Sequence, residues 1–379
     1  MRTIPAIPFN RSALMGREME YIARSLANGQ IAGDQAFSRK CQELLEEELG
    51  VPKVLITTSC THALEMAALL LNIGPDDEVI VPSFTFVSTA NAFALRGARI
   101  VFADIRRDTL NLDERTLEGL ITPRTKVIVA VHYAGVACEM DEILRIALKH
   151  GLPIVEDNAH GLFGTYRGRQ LGTFGAFATQ SFHETKNITC GEGGALLINA
   201  EAYGDRAEII REKGTDRSRF FRGQVDKYGW VDLGSSYVMS DVLAAFLYGQ
   251  LEARQVIQER RALIWHRYAE ALHAWAARMD ARLPFIPPHC GQSYHMFYLI
   301  MPSLEVRQAL IAHLRERDIL AVFHYLPLDR SPFAARWPPA MECPVTAEVS
   351  DQLVRLPFYN SMSAAEQERV IEAVLAFKE

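Results

Sequence analysis

The sequence predicts an α/β protein, with a mostly parallel central sheet in a large first domain and a smaller C-terminal α+β domain. Three observations carry this expectation. From about Val54 to Asn199, short apolar runs rich in Val and Ile alternate with segments of helical period, the sequence form of a parallel sheet covered by helices. From Asp241 to Met279 a proline-free stretch carries apolar residues at helical spacing, which reads as one long connecting helix. After "LPFIPPHCGQS" (283–293) the strand and helix pattern resumes on a smaller scale. The expected division is residues 1–240 for an N-terminal arm and the large domain, and 241–379 for the connecting helix and the small domain.

Taken in order, the strands of the large domain are "EVIVP" (78–82), "RIVFADI" (99–105), "KVIVAVHYAG" (126–135), "LPIVEDNAH" (152–160), "AFATQSF" (176–182) and "ALLIN" (195–199). Between them lie helices such as "THALEMAALLLNIG" (61–74), closed by Gly74-Pro75, and "EMDEILRIALKHG" (139–151), closed by Gly151. This order implies right-handed crossovers and places ligands at the carboxyl ends of the strands. The small domain reads as strand 294–301, helix 303–318, strand 319–327 and a last helix from Ser363. There are no internal repeats and no low-complexity linkers.

Bulk properties narrow the function classes. A chain of 379 residues, 49% apolar and 23% charged, has ample material for a buried core. Its net charge of -6 offers no electrostatic case for nucleic acid or an acidic membrane as the main partner. The six cysteines are scattered, without a CxxC pair, so neither a disulfide framework nor a structural metal is expected. No targeting segment or membrane span is read, and the expected location is the cytoplasm.

Three segments have chemical potential, each beside an ordinary alternative. In "TTSCTHALEMAALLL" (57–71) small hydroxyl and thiol residues precede a helix directly after an apolar strand. Free N–H groups at such a helix start bind phosphate, with Ser59 and Thr61 as additional donors. The alternative is a plain Ser or Thr cap. In "IVEDNAH" (154–160) acids end a parallel strand on the ligand-facing edge. An Asp there pairs with a cationic ring nitrogen, ligates a metal, or caps the next helix; His132 in "VHYAG" is the one obvious companion ligand.

The third segment is "SFHETKNITCGEGG" (181–194). Lysines usually sit in water. Lys186, however, stands between a strand end and a glycine-rich turn, where the backbone can approach a ligand closely. Desolvation there would lower its amine pKa and make it competent for a Schiff base. Phe86, at another strand end, would either stack on a ring or join the core. Together these segments supply a phosphate cradle, an acid for a ring nitrogen and a reactive lysine, the three contacts that pyridoxal 5'-phosphate (PLP) requires.

On these segments, together with "IPFN" (7–10), "PDDEVIVPSFTFVSTANAF" (75–93), "GEGGALLIN" (191–199), "FHYLPL" (323–328) and "RLPFYN" (355–360), the chain resembles the fold-type-I PLP-dependent transferases. Within them it is similar to the DegT-type nucleotide-sugar aminotransferases. The resemblance covers essentially the whole chain, and "REKGTDRSRFFRGQVDKYGWVDLGSSYVMSD" (211–241) is its most distinctive part. It implies that Lys186 carries the cofactor covalently and shuttles protons, with pyridoxamine 5'-phosphate formed between the two half-reactions. It further implies that Asp157 holds the pyridinium nitrogen, Phe86 stacks on the ring, and His160 lies near the phenolic oxygen. Ser59, Cys60, Thr61 and Ser181 would hold the phosphate.

The implied partners are L-glutamate and a dTDP-4-keto-6-deoxy sugar. The implied assembly is a homodimer with shared active sites, in which Ser236 reaches the partner's phosphate. His324, Arg222 and Lys227 are the candidate substrate contacts. Departures from the family pattern fall at Asn158, Ser236, Val238 and Asp329. The rival readings are a related aminotransferase acting at C3 or with the opposite C4 stereochemistry, and a PLP-binding regulatory protein. The latter would need a DNA-binding segment that the chain does not carry.

Overall fold

Seven strands form the central sheet of the computed structural model, which describes residues 6–378. Their spatial order is Lys53–Thr57, Gly194–Ile198, Phe177–Ser181, Ile154–Asp157, Thr125–Val131, Glu78–Pro82 and Arg99–Ala103. Gly194–Ile198 alone runs antiparallel to both of its neighbours; the five strands beyond it are mutually parallel. The expected fold class is therefore the observed one.

The two faces of the sheet follow from the period of two along each strand. Val79, Val81, Val127, Val129 and Val155 pack on one face with the Cys60–Leu70 and Val87–Ala94 helices. Ile80, Ile128, Ala130 and Ile154 pack on the other with the Glu114–Leu120 and Met140–His150 helices. Near Lys53–Thr57 that second face is covered by the Ala36–Leu49 and Asp241–Glu252 helices. With both faces covered, the strands are mostly apolar, and each buried Val or Ile contributes about 1.5–3 kcal/mol.

The smaller C-terminal domain has its own core, in which Tyr268, Trp275, Phe297, Leu310 and Val370 meet. Its two-stranded sheet pairs Tyr298–Ile300 with Leu353–Arg355. The N-terminal arm joins it: Ile7 is 1% exposed and donates its N–H to the Asp318 carbonyl at 2.7 Å. Ser303 and Ser363 cap the helices Leu304–Arg315 and Ala364–Leu375, the latter through a complete capping box with Glu366. No helix among the described residues is long and apolar enough to cross a membrane.

Two expectations change. The long connecting helix is two helices, Asp241–Glu252 and Arg254–Arg278, broken at Ala253. The first packs on Glu18–Ala27 and Ala36–Leu49, whereas the second packs on Ala364–Leu375. One straight axis cannot serve both surfaces. The segment 319–327 forms no continuous strand: Ile319 bridges Ile7 and Val322 bridges Arg355. Its backbone is divided between two partners before it turns to the sheet edge with His324 and Tyr325.

Candidate active site

A cavity of about 510 Å³ opens at the carboxyl ends of the parallel strands. Lys186, Asp157, Ser59, Cys60, Thr61, Phe86, His160, Ser181 and His324 all line it. Segments separated by more than a hundred residues thus meet at one edge of the sheet, as strand-end placement requires.

Asp157 is the last residue of its strand and is 6% exposed. Its Oδ2 accepts from Thr89 Oγ1 at 2.7 Å, and Thr89 contacts Thr85 Oγ1 at 2.8 Å. Its Oδ1 accepts from the Ala159 N–H at 3.2 Å. The carboxylate is thereby fixed at the cavity wall. Asn158 turns elsewhere, donating Nδ2 to the Leu171 carbonyl at 3.1 Å.

Lys186 follows its strand through a tight turn, its N–H bonded to the His183 carbonyl at 2.9 Å. Desolvation in the cavity wall pulls its amine down to about 8, with Arg355 acting in the same sense and Cys60 and Asp157 opposing. Near pH 8 a substantial fraction of this lysine is neutral and nucleophilic.

At the start of the Cys60–Leu70 helix, Ser59 Oγ caps by accepting from the His62 N–H at 3.1 Å. The capping reading is thus correct, and the N–H groups of Cys60 and Thr61 lie in the first turn, where no intrahelical acceptor exists. Gly194 permits the approach, since a Cβ there would fall 2.3 Å from the Ser59 carbonyl carbon and 2.4 Å from the Cys60 nitrogen. Thr61 Oγ1 donates to Ser88 Oγ at 2.8 Å.

Phe86 is 56% exposed. Its ring is therefore not part of the core but stands at the cavity mouth, 6.2 Å from the Tyr325 ring centroid. His160 stacks on His295 with centroids 4.2 Å apart and planes 17° from parallel. Its Nδ1 is buried without a partner among the described residues. Burial, followed by the nearby Lys186 and Arg355, holds His160 well below the usual imidazole range. His324 is lowered similarly, mainly by burial, and its Nδ1 meets Tyr133 Oη at 2.9 Å.

Three predicted contacts are not brought to the cavity within this chain. Ser236 is exposed and bridges Glu212. Arg222 pairs with Glu208 at 2.8 Å, and Lys227 is exposed on the same segment. Asp329 accepts from Ser83 Oγ, and His132 is fully buried against Glu156 at 2.9 Å. Among the described residues no cluster suited to a metal ion occurs.

Sequence reasoning missed Thr85, Thr89, His295, Tyr325 and Arg355, all of which line the cavity. Thr85 and Thr89 were detectable as a hydroxyl pair four residues apart, after a strand and into a helix. A desolvated lysine, a fixed carboxylate at a strand end, free N–H groups at a helix start and an unpacked aromatic ring fit PLP in donor type and placement.

Comparison with known proteins agrees with this geometry. The model of the DegT/DnrJ/EryC1/StrS aminotransferase family matches residues 13–375. An uncharacterised protein of Methanocaldococcus jannaschii is 33% identical over 343 residues, covering 88% of each chain. The PMP form of Spr1654 from Streptococcus pneumoniae, provisionally named a sugar aminotransferase, superposes with a TM-score of 0.90 at 27% identity, covering 97% of this chain and 96% of that one. DesV from S. venezuelae, solved with a ketimine intermediate, gives 0.88 at 29% identity, covering 99% and 100%. The chain belongs to the DegT/DnrJ/EryC1/StrS aminotransferase family. Its fold is that of the fold-type-I enzymes, and its activity is that of a PLP-dependent aminotransferase.

Proposed function

We propose that the protein transfers the amino group of L-glutamate to dTDP-4-keto-6-deoxy-D-glucose, giving 2-oxoglutarate and dTDP-4-amino-4,6-dideoxy-D-galactose. In this reading it is a dTDP-4-amino-4,6-dideoxygalactose transaminase. The observation that carries the chemistry is the convergence of Lys186, Asp157 and the Ser59–Thr61 turn on one cavity. The sugar and its C4 position rest on the resemblance of segment 211–241. Relatives whose names include a sugar aminotransferase support the substrate class.

When bound, PLP supplies an electron sink for the carbon that carries the transferred amine. Lys186 Nζ would hold it and, once displaced by the amine of glutamate, would take the Cα proton of glutamate and later deliver a proton to C4 of the sugar. Asp157, kept in place by Thr89, holds a proton at the ring nitrogen. The Cys60 and Thr61 N–H groups and Ser181 would bind the phosphate, Phe86 would cover the ring, and neutral His160 would sit by the phenolic oxygen. His324 contacts substrate from the small domain. In the proposed homodimer Ser236 completes the neighbour's phosphate site, and Arg222 and Lys227 on the same segment meet the nucleotide diphosphate.

Purified holoenzyme should be yellow and lose that absorbance on addition of L-glutamate, with one equivalent of 2-oxoglutarate released per site. An unchanged spectrum would count against the reading. The rival aminotransferases share this first stage and differ only in the sugar product.

A further inference from the structure

Asn187, the residue after Lys186, ties the lysine's turn to the small domain. Its carbonyl accepts from Asn360 Nδ2 at 2.9 Å. Its own Nδ2 donates to the Ser293 carbonyl at 2.6 Å and approaches Gln258 Oε1 at 3.4 Å, while its Oδ1 meets His295 Nδ1 at 2.9 Å. Arg261 closes the network: Nη1 donates to Asn360 Oδ1 at 2.7 Å, Nε to the Tyr294 carbonyl at 2.8 Å, and Nη2 to the His295 carbonyl. Asn187, Asn360, Arg261 and His295 are all buried.

These partners assign the hydrogens. A carbonyl oxygen only accepts, so the Asn187 amide turns its NH2 group to Ser293 and its oxygen to His295. His295 Nδ1 therefore carries the hydrogen, and in the neutral ring Nε2 does not. A carboxylate in this place would orient the imidazole and also stabilise its cation. An amide orients it and adds no charge. His295 is 3% exposed, lines the same cavity as Lys186 and stacks on His160. The charged groups acting on the two rings are Lys186, Arg355 and Arg261, all cationic, while Tyr133 and His324 stand against the His160 ring. Burial first, and then these cations, hold both imidazoles well below their usual range.

We propose that Asn187 is a positioning residue that fixes His295 with its hydrogen on Nδ1 and, through the stack, keeps His295 and His160 as an uncharged wall beside Lys186. A proton taken from the substrate carbon then stays on Lys186 Nζ and is not lost to an imidazole. This rests on the transamination proposed above, in which the same amine takes up a proton and later delivers one.

Two measurements on holoenzyme test this. Long-range proton–nitrogen NMR of wild type carrying 15N-labelled histidine, with His295→Phe for assignment, should show His295 protonated at Nδ1 alone across neutral pH. Rapid mixing with L-glutamate then gives kcat/KM against pH. Asn187→Asp puts a carboxylate on His295 Nδ1, so the ring should charge near neutral pH and kcat/KM should fall about tenfold for each pH unit below that new ionisation. Asn187→Ser removes the bond without adding charge and should lose activity by a similar factor at every pH. Adding His295→Phe to Asn187→Asp should abolish the new ionisation, which a purely structural role for Asn187 would not produce. A hydrogen on His295 Nε2 or on both nitrogens, or an Asn187→Asp profile parallel to wild type, would overturn the assignment. A wild type that does not react with L-glutamate would overturn the transamination reading and the wall's role in proton transfer, while the NMR spectrum would still decide the tautomer.

Discussion

Thr89 Oγ1 donates a 2.7 Å hydrogen bond to Asp157 Oδ2 across 68 residues of sequence, linking the first turn of the Val87–Ala94 helix to the end of the Ile154–Asp157 strand. The relationship fixes a carboxylate that would otherwise rotate in the cavity. Thr89→Val removes that donor with little change in volume. It should lower kcat by roughly 10- to 150-fold, the equivalent of one lost bond to a charged group, while cofactor still binds. Asp157→Ala should lose far more, and a Thr89→Val enzyme of full activity would show the bond to be incidental.

Lys186 has its amine at about 8, lowered chiefly by desolvation. Below that value the amine is protonated and inert; above it the amine is neutral and attacks carbonyls. The rate at which apoenzyme forms its covalent link with PLP should therefore rise with pH and level off above about 8, not near 10.5. For stability the sign is the same: between the folded and unfolded values the unfolded chain binds more protons, so this group makes the apoprotein more stable as pH rises through that window. Lys186→Ala should hold PLP without a covalent link after borohydride reduction and should not turn over.

The close contact at Gly194 has a steep dependence on side-chain size. A Cβ would meet backbone atoms of Ser59 and Cys60, which cannot swing aside as a flexible side chain can. Gly194→Ala should displace the helix start, cost about 1–3 kcal/mol as overpacking, and weaken PLP binding in a fluorescence titration. Pyridoxal without its phosphate should be affected much less.

The proposed sharing of active sites in a homodimer makes a qualitative prediction. A Ser236→Trp chain should block its neighbour's phosphate site but not its own, whereas Lys186→Ala disables its own. Mixed and reassembled, the two inactive proteins should form hybrids with one working site. Absence of recovered activity in verified hybrids would place Ser236 outside the site.

Much of this was legible in sequence because the chemistry sits where strands end. Asp157, Lys186 and the Ser59–Thr61 turn each follow an apolar run, so strand order alone brings them to one edge. The break at Ala253 was not legible, since neither glycine nor proline marks it and only the two packing surfaces demand it. Arg355 was missed for a related reason. It lies inside an apolar stretch of the small domain, and its access to the cavity depends on how the two domains meet. Phe86 was ambiguous until its exposure was known, because an aromatic residue after a strand reads equally well as core.

The identity of the amino sugar is read by proton NMR of the product formed from L-glutamate and dTDP-4-keto-6-deoxy-D-glucose. The expected product is one new sugar nucleotide with an axial amine at C4, formed in step with 2-oxoglutarate. An equatorial C4 amine, amination at C3, or unconsumed sugar beside active glutamate turnover would contradict it.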